Sequence, residues 1–313
     1  MQNPSELPSH VSQLADLWLD GASPTEFDLR AARSLELRLA SFDGLQPFSS
    51  VVQTLIDHVS RPNLRLDDVC KVIELDPALA SRILRVANSA AYRGVVPCAS
   101  IVQAVVRIGG TNVSGIAMAM SAMSMFRDLG GVGRQIRDHS AGTAVVGREL
   151  ALCLGQGGLS SKVFLSGLLH DIGKLLLMQS GLVGYATLVA REIAPSNLHL
   201  KEQAMWGFDH GMLGAHVLKS WNVPAPIPQL VAWHHQPKGG QCSATGLAPA
   251  LDILRLSDVI DWLLGQGCPA DSPWVERLAA SPDGVRAGLA AETLPSLWKD
   301  LRAIRNEALQ VFA

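Results

Sequence analysis

The chain of 313 residues lacks an excess of either charge: 26 lysines and arginines stand against 28 aspartates and glutamates, a formal net charge of −2. Without a basic field, direct binding to nucleic acid or to an acidic membrane surface is disfavoured. Uncharged apolar runs of the roughly eighteen residues needed to cross a bilayer are also missing. The stretch Met1 to His10 is polar and has no apolar signal core, so a cytoplasmic protein without membrane contact is expected. The five cysteines (Cys70, Cys98, Cys153, Cys242, Cys268) are scattered and include no Cys-x-x-Cys pair. That argues against a disulfide framework or a zinc knuckle, and reduced, mostly buried thiols are expected. Aromatic residues make up only 5% of the chain. No ladder of alternating β-branched residues with Asn-Gly or Asp-Gly turns occurs, and with alanine and leucine abundant the fold class read from the sequence is all-α.

Chemistry is concentrated in five clusters centred on His139, His170-Asp171, His210, His234-His235 and Asp258. The most specific is Ser166-Gly167-Leu168-Leu169-His170-Asp171-Ile172-Gly173-Lys174, inside an apolar stretch from Val163 to Met178. An imidazole, a carboxylate and an ammonium buried there each need a partner. Asp171 and Lys174 are three apart, share a helix face and could pair, which leaves His170 unexplained. Neutral imidazole with carboxylate is a ligand set for Zn, Fe, Mn or Ni, and an adjacent His-Asp pair can reach one ion or two neighbouring ones. The plainer alternative is a core histidine beside a carboxylate at a helix end. His139 is expected in the first turn of an amphipathic helix over Ala141 to Leu154, and Asp209-His210 precedes a second helix, Met212 to Trp221. His234-His235 follows the run Gln229 to Trp233, and Asp258 is a carboxylate on the mostly apolar run Ile253 to Leu264. Each cluster has an ordinary reading: a helix cap for His139 and Asp209, a turn residue for His234, a solvated or capping carboxylate for Asp258. One convergent site is more economical than independent accounts of all five.

Upstream, Asp76-Pro77 reads as an N-cap followed by proline at the first helical position. Leu79, Ile83 and Val86 then form one apolar face, and Asn88 ends the run as an amide expected to hold another backbone segment, gluing the two halves together. Tyr92 is expected to be exposed in the turn that follows.

The order His139, His170-Asp171, Lys174, His210, His234-His235, Asp258 resembles the HD superfamily of all-helical metal phosphohydrolases. With Leu75 to Tyr92 and the glycine-closed Ile101 to Gly110, the chain is more narrowly similar, over about Leu45 to Leu264, to the HDOD group, the HD-related output domains of bacterial signalling proteins. The resemblance implies a multi-helix HD-like bundle with an N-terminal helical subdomain. It also implies one or two divalent metals (Fe, Mn, Zn, Ni or Mg), or a site that has lost them, held by His139, His170, Asp171, His210, His234, His235 and Asp258. In an active member Asp171 would be catalytic and Lys174 would contact phosphate. The cyclic-dinucleotide phosphodiesterase branch carries an acidic residue and a Gly-Tyr-Pro element after its double histidine. Here Gln236-Pro237-Lys238-Gly239-Gly240 follows instead, and the only tyrosines are Tyr92 and Tyr185, so hydrolysis of cyclic-di-GMP is not expected.

The expected organisation is an N-terminal helical extension (1–43, with helix-like Phe27 to Ser41), an N-terminal helical half (44–130), an HD-like core (131–265) and a helical tail (266–313). Internal boundaries are sought at Asp128 to Arg134 and Gln236 to Ala244. Leu297, Leu301, Ile304 and Leu309 form an apolar stripe on the tail, which could pack on the body or close a homodimer. Two functions are compatible with these residues: a non-catalytic output or adaptor protein acting through signalling partners or a small nucleotide effector, which the resemblance favours, and a metal-dependent phosphohydrolase acting on nucleotide or cyclic-dinucleotide phosphate esters.

Overall fold

A computed structural model describes residues 51–52, 54–55, 65–89, 91–92, 94–126, 129–182, 184–191, 198–235 and 246–312. The expected extension 1–43 and the stretch Gln236 to Ala244 lie outside them. Among the described residues there is no strand, and the fold is all-α.

After the helical residues 51–52 and 54–55, the described helices begin with α1 (Leu66–Glu74), α2 (Pro77–Asn88), α3 (Ile101–Ile108) and α4 (Gly110–Ser124). Helix α2 starts as its sequence dictates: the Asp76 carboxylate accepts from the N–H groups of Ala78 and Leu79 at 3.0 Å each, with Pro77 at the first position. Its apolar stripe Leu79, Ile83 and Val86 is buried. The Asn88 amide is bonded twice to Cys98, donating to its carbonyl at 2.9 Å and accepting from its N–H at 2.7 Å. It therefore staples the α2–α3 connection within this half rather than joining the two halves. Tyr92 is half-buried, edge-on to Phe164 and beneath the Arg148 guanidinium, because its ring covers apolar surface of the following half. Gly109, at φ +91°, closes α3 and lets α4 leave at 105° to it. Among the described residues no single helix is long and apolar enough to cross a membrane.

The centre is α5 (Gly130–Cys153), followed by α6 (Ser160–Leu169), α7 (Ile172–Gln179), α8 (Tyr185–Arg191), α9 (Leu198–Trp206), α10 (His210–Ser220), α11 (Ile227–Trp233) and α12 (Ala248–Gly265). Helices α13 (Pro273–Ala280), α14 (Pro282–Ala287) and α15 (Leu294–Phe312) complete the chain. Helix α5 lies along α6, α12 and α15, and one apolar core runs from Val69 through Phe164 and Trp233 to Trp298 and Leu301. The tail thus returns to the body, burying Leu301 of its stripe fully, the other three in part, and Trp298 beside them.

His139 lies ten residues into α5, not in a first turn and not at a cap. The glycines of Gly130-Gly131-Val132-Gly133 disfavour helix by about 1 kcal/mol each. Packing on three neighbouring helices carries α5 through them.

Two glycines set the spacing of the centre. A Cβ on Gly173 would lie 1.9 Å from the His210 carbonyl oxygen, and one on Gly142 would lie 1.7 Å from Asp261 Oδ1. The first lets α7 touch the start of α10; the second lets α12 press its carboxylates against α5. Gly173→Ala forces backbone apart where nothing flexible can yield. It is expected to cost on the order of 3 kcal/mol, seen as a lowered melting temperature in thermal denaturation.

Candidate metal centre

Seven side chains singled out by the sequence come together between α5, α6, α7, α10, α11 and α12. His139 projects from the middle of α5 and Asp258 from α12, while His170 and Asp171 occupy the break between α6 and α7. His210 is the first residue of α10, set there by Asp209, whose carboxylate caps the helix by accepting from Met212 N–H at 2.9 Å. His234 and His235 form the turn after α11, where Arg255 of α12 donates to the carbonyls of Trp233 (2.8 Å) and His234 (3.0 Å) and pins that turn. His170, Asp171, His210, His234 and Asp258 are buried, and His139 and His235 partly so.

Asp171 is the hub. Its Oδ1 lies 3.3 Å from His210 Nε2 and 3.9 Å from His234 Nε2. Its Oδ2 lies 3.4 Å from His170 Nε2, 4.0 Å from His139 Nε2 and 2.7 Å from Lys174 Nζ, so the expected pairing with Lys174 is present. Ligand atoms fall into two groups that share this carboxylate, Asp171 with His210, His234 and His235, and Asp171 with His139 and His170. Within each group the atoms lie within 4.8 Å of one another. Asp258 Oδ1 adjoins the second group, 2.9 Å from His139 Nε2 and 3.9 Å from His170 Nε2.

Surrounding bonds decide which nitrogen faces inward. His170 Nδ1 donates to the Gly167 carbonyl (2.8 Å), His234 Nδ1 to the Val231 carbonyl (2.6 Å) and His210 Nδ1 to Glu202 Oε2 (2.6 Å). Each bond fixes the Nδ1–H tautomer and turns the Nε2 lone pair toward the hub. His170 Nε2, His210 Nε2, His234 Nε2, His235 Nε2 and Asp171 Oδ1 are buried without a hydrogen-bond partner. The inward-facing nitrogens of His170, His234 and His235 have no neighbour to satisfy them, which is costly as a mere core and fits a metal site, and the buried His/Asp cluster can hold a metal.

Protons mark the same charge balance. Burial alone would lower His139, but hydrogen bonds to Asp258 and Asp261 lift it to about 10, while burial of Asp258 is outweighed by His139, which brings that carboxyl to about 2. An imidazolium between two carboxylates thus stands where an ion's charge would act, and metal binding has to displace its proton. Burial also opposes protonation of His210, but Glu202 raises it to about 9. Burial lowers His170, His234 and His235, leaving them neutral donors. Burial would raise Asp171, yet His170, Lys174 and His210 hold it well below the usual carboxylate range.

A cavity of about 530 Å³ reaches the cluster, with His139, Asp171, Lys174, Asp261 and Arg305 in its wall. Several supporting residues were not among those the sequence singled out for the site. Glu202, fully buried in α9, accepts from His210 Nδ1, from its backbone N–H (2.9 Å) and from the Tyr185 hydroxyl (2.5 Å). Asp261 accepts from His139 Nδ1 at 2.7 Å and pairs with Arg305 of α15, also at 2.7 Å. Asp261 carries a usable signal, since it falls three residues after Asp258 on one helix face. Glu202 and Arg305 carry none at the level of motif.

The family model described as "HDOD domain" matches residues 45–237, more than half the chain. The chain belongs to the HDOD family. A protein of Shewanella amazonensis SB2B named as a candidate phosphohydrolase is 23% identical, with a TM-score of 0.70 over 90% of this chain and 98% of that one. A candidate signal transduction protein of Marinobacter aquaeolei VT8 is 17% identical, with a TM-score of 0.66 over 99% of this chain and 68% of that one. At such identities these structures establish the fold of this HDOD protein alone. An uncharacterised protein of Treponema pallidum (strain Nichols) is 24% identical over 180 residues, which are 56% of this chain and 35% of that relative's length. The match thus spans about a third of that relative.

Elemental analysis of the HDOD protein, purified without chelator or histidine tag, should find about two equivalents of transition metal. Asp171→Ala should lose them, and Glu202→Gln should weaken metal retention by about 10- to 100-fold through the freed His210 ring. Unchanged metal content in Asp171→Ala would contradict the shared-carboxylate arrangement.

Proposed function

We propose that this HDOD protein is a metal-dependent phosphohydrolase of bacterial signalling, acting on a phosphate ester of a nucleotide. The observation that carries this reading is the Asp171 carboxylate shared by two groups of ligand atoms at the wall of a cavity that also exposes Lys174. When bound, divalent ions at such a site activate water as a nucleophile and offset the charge of a phosphate ester. The imidazoles favour Mn, Fe, Ni or Zn over Mg, which prefers oxygen ligands. Lys174 and Arg305 line the cavity, each paired with a carboxylate, Asp171 and Asp261, so the charge that offsets an anionic substrate would come chiefly from bound ions; the volume lies in the range of small-molecule sites. Burial would lower the Lys174 ammonium, but Asp171 and Asp258 keep it charged.

A second reading is the one the sequence resemblance favours: an output or adaptor protein in which the ion is structural and the surface meets a signalling partner. Its support is the sequence Gln236-Pro237-Lys238-Gly239-Gly240 after the double histidine, in place of an acidic residue and Gly-Tyr-Pro. The completeness and orientation of the ligand set move our preference to the hydrolase.

The readings separate in an assay of the metal-loaded protein with bis(p-nitrophenyl) phosphate, p-nitrophenyl phosphate and a panel of nucleoside phosphates. The hydrolase reading expects chelator-sensitive turnover and a loss of about 10²-fold in kcat/KM for Lys174→Ala with metal content retained. Full metal occupancy with no turnover of any of these would leave the adaptor reading standing.

A further inference from the structure

A second cavity, of about 380 Å³, lies where α2, α4, α5, α6 and α15 meet; no metal ligand lines it, and Asp138 borders both this cavity and the first. Three guanidiniums line it, Arg82 of α2 with Arg134 and Arg137 of α5, against one carboxylate, Asp138. Arg137 is already committed, donating to the Phe126 carbonyl at 2.6 Å, and Arg134 sits 3.7 Å from Asp138 at the open side. The remaining wall is apolar, with Met120 and Met123 of α4, Leu168 of α6 and Val311 of α15.

Ser140 supplies an independent sign of a ligand. It lines this cavity, is 1% exposed, and its hydroxyl has no hydrogen-bond partner. Buried serines elsewhere satisfy themselves on their own helix: Ser114 donates to Gly110, Ser166 to Lys162 and Ser257 to Leu254. A helical serine has that option almost everywhere, and Ser140 leaves it unused.

We infer that this cavity is an effector site for a phosphomonoester carried on a flat apolar body, the chemistry of a nucleoside monophosphate. With Arg137 committed and Arg134 beside the one carboxylate, Arg82 leaves the cavity wall cationic, which suits a phosphate. Arginine forks bind phosphate oxygens in pairs, the Ser140 hydroxyl adds a donor, and two methionine thioethers offer adaptable contact to a ring. The volume lies within the range of small-molecule sites. Bound ligand would sit on both neighbours of His139, Asp138 and Ser140, and on the helix that delivers Arg305 to Asp261. The inference does not depend on whether the metal centre turns over a substrate.

The test is calorimetric titration of the metal-loaded full chain with AMP and GMP, with adenosine as the uncharged control. Saturable binding is expected, with adenosine much weaker, and with one nucleotide per chain once Lys174→Ala removes the phosphate contact at the metal centre. Arg82→Gln, Arg134→Gln and Ser140→Ala, each checked for an unchanged melting curve, should weaken binding, the arginine changes by about tenfold or more. Lys174→Ala, at the metal centre, should leave this binding in place. Two results overturn the inference: no saturable binding of either nucleotide at millimolar concentration, or binding that survives all three cavity changes and disappears with Lys174→Ala.

Discussion

A carboxylate that is 1% exposed governs this molecule. Taking such a charge out of water costs several kcal/mol unless partners replace the solvent. Asp171 finds them in Lys174, one helical turn on, and in the imidazoles of His170 and His210. His210 comes from a separate stretch of chain, as do His139, His234 and Asp258 around it, so the bundle must bring α5, α10, α11 and α12 to one point. The glycines at positions 173 and 142 permit that convergence, because any side chain there would occupy the space of a carbonyl or of the Asp261 carboxylate.

Around the hub lies a layer whose work is orientation. Backbone carbonyls of Gly167 and Val231, one helical turn before their histidines, take the Nδ1 protons of His170 and His234, while Glu202 takes that of His210. The local helix thus aims two rings with no further residue, and a buried acid supported by Tyr185 aims the third. The fourth, His139, is aimed by Asp261, and Asp261 in turn by Arg305 on the last helix. A helix far along the chain therefore contributes to the geometry of the centre, and α15 cannot be treated as an appendage.

The sequence made the ligands legible because their types are rare inside apolar runs. A histidine and an aspartate between Val163 and Met178 demand an explanation that a surface pair would not. The cap at Asp76 and the glycine closing α3 were readable for a local reason, since both depend on a few consecutive residues. What escaped depended on tertiary packing. Glu202 sits in Leu198–Trp206, a segment without a clear apolar period, and glutamate is ordinarily a surface residue. The apolar pattern over Ala141 to Leu154 puts His139 in a first turn, whereas three packed helices extend α5 back through the glycines before it. Arg305 lies 44 residues from its partner, and no motif spans that distance.

Both functional readings draw on the same centre, and they differ in whether the ions do chemistry or hold helices together. The hydrolase reading makes the stronger claim, that the Asp171 carboxylate serves both ligand groups at once. Anomalous diffraction at the metal absorption edge, from crystals of the metal-loaded protein, tests it directly. The account predicts metal at both ligand groups, the one of His210, His234 and His235 and the one of His139 and His170, each with Asp171. A single peak, or none near Asp171, would contradict it.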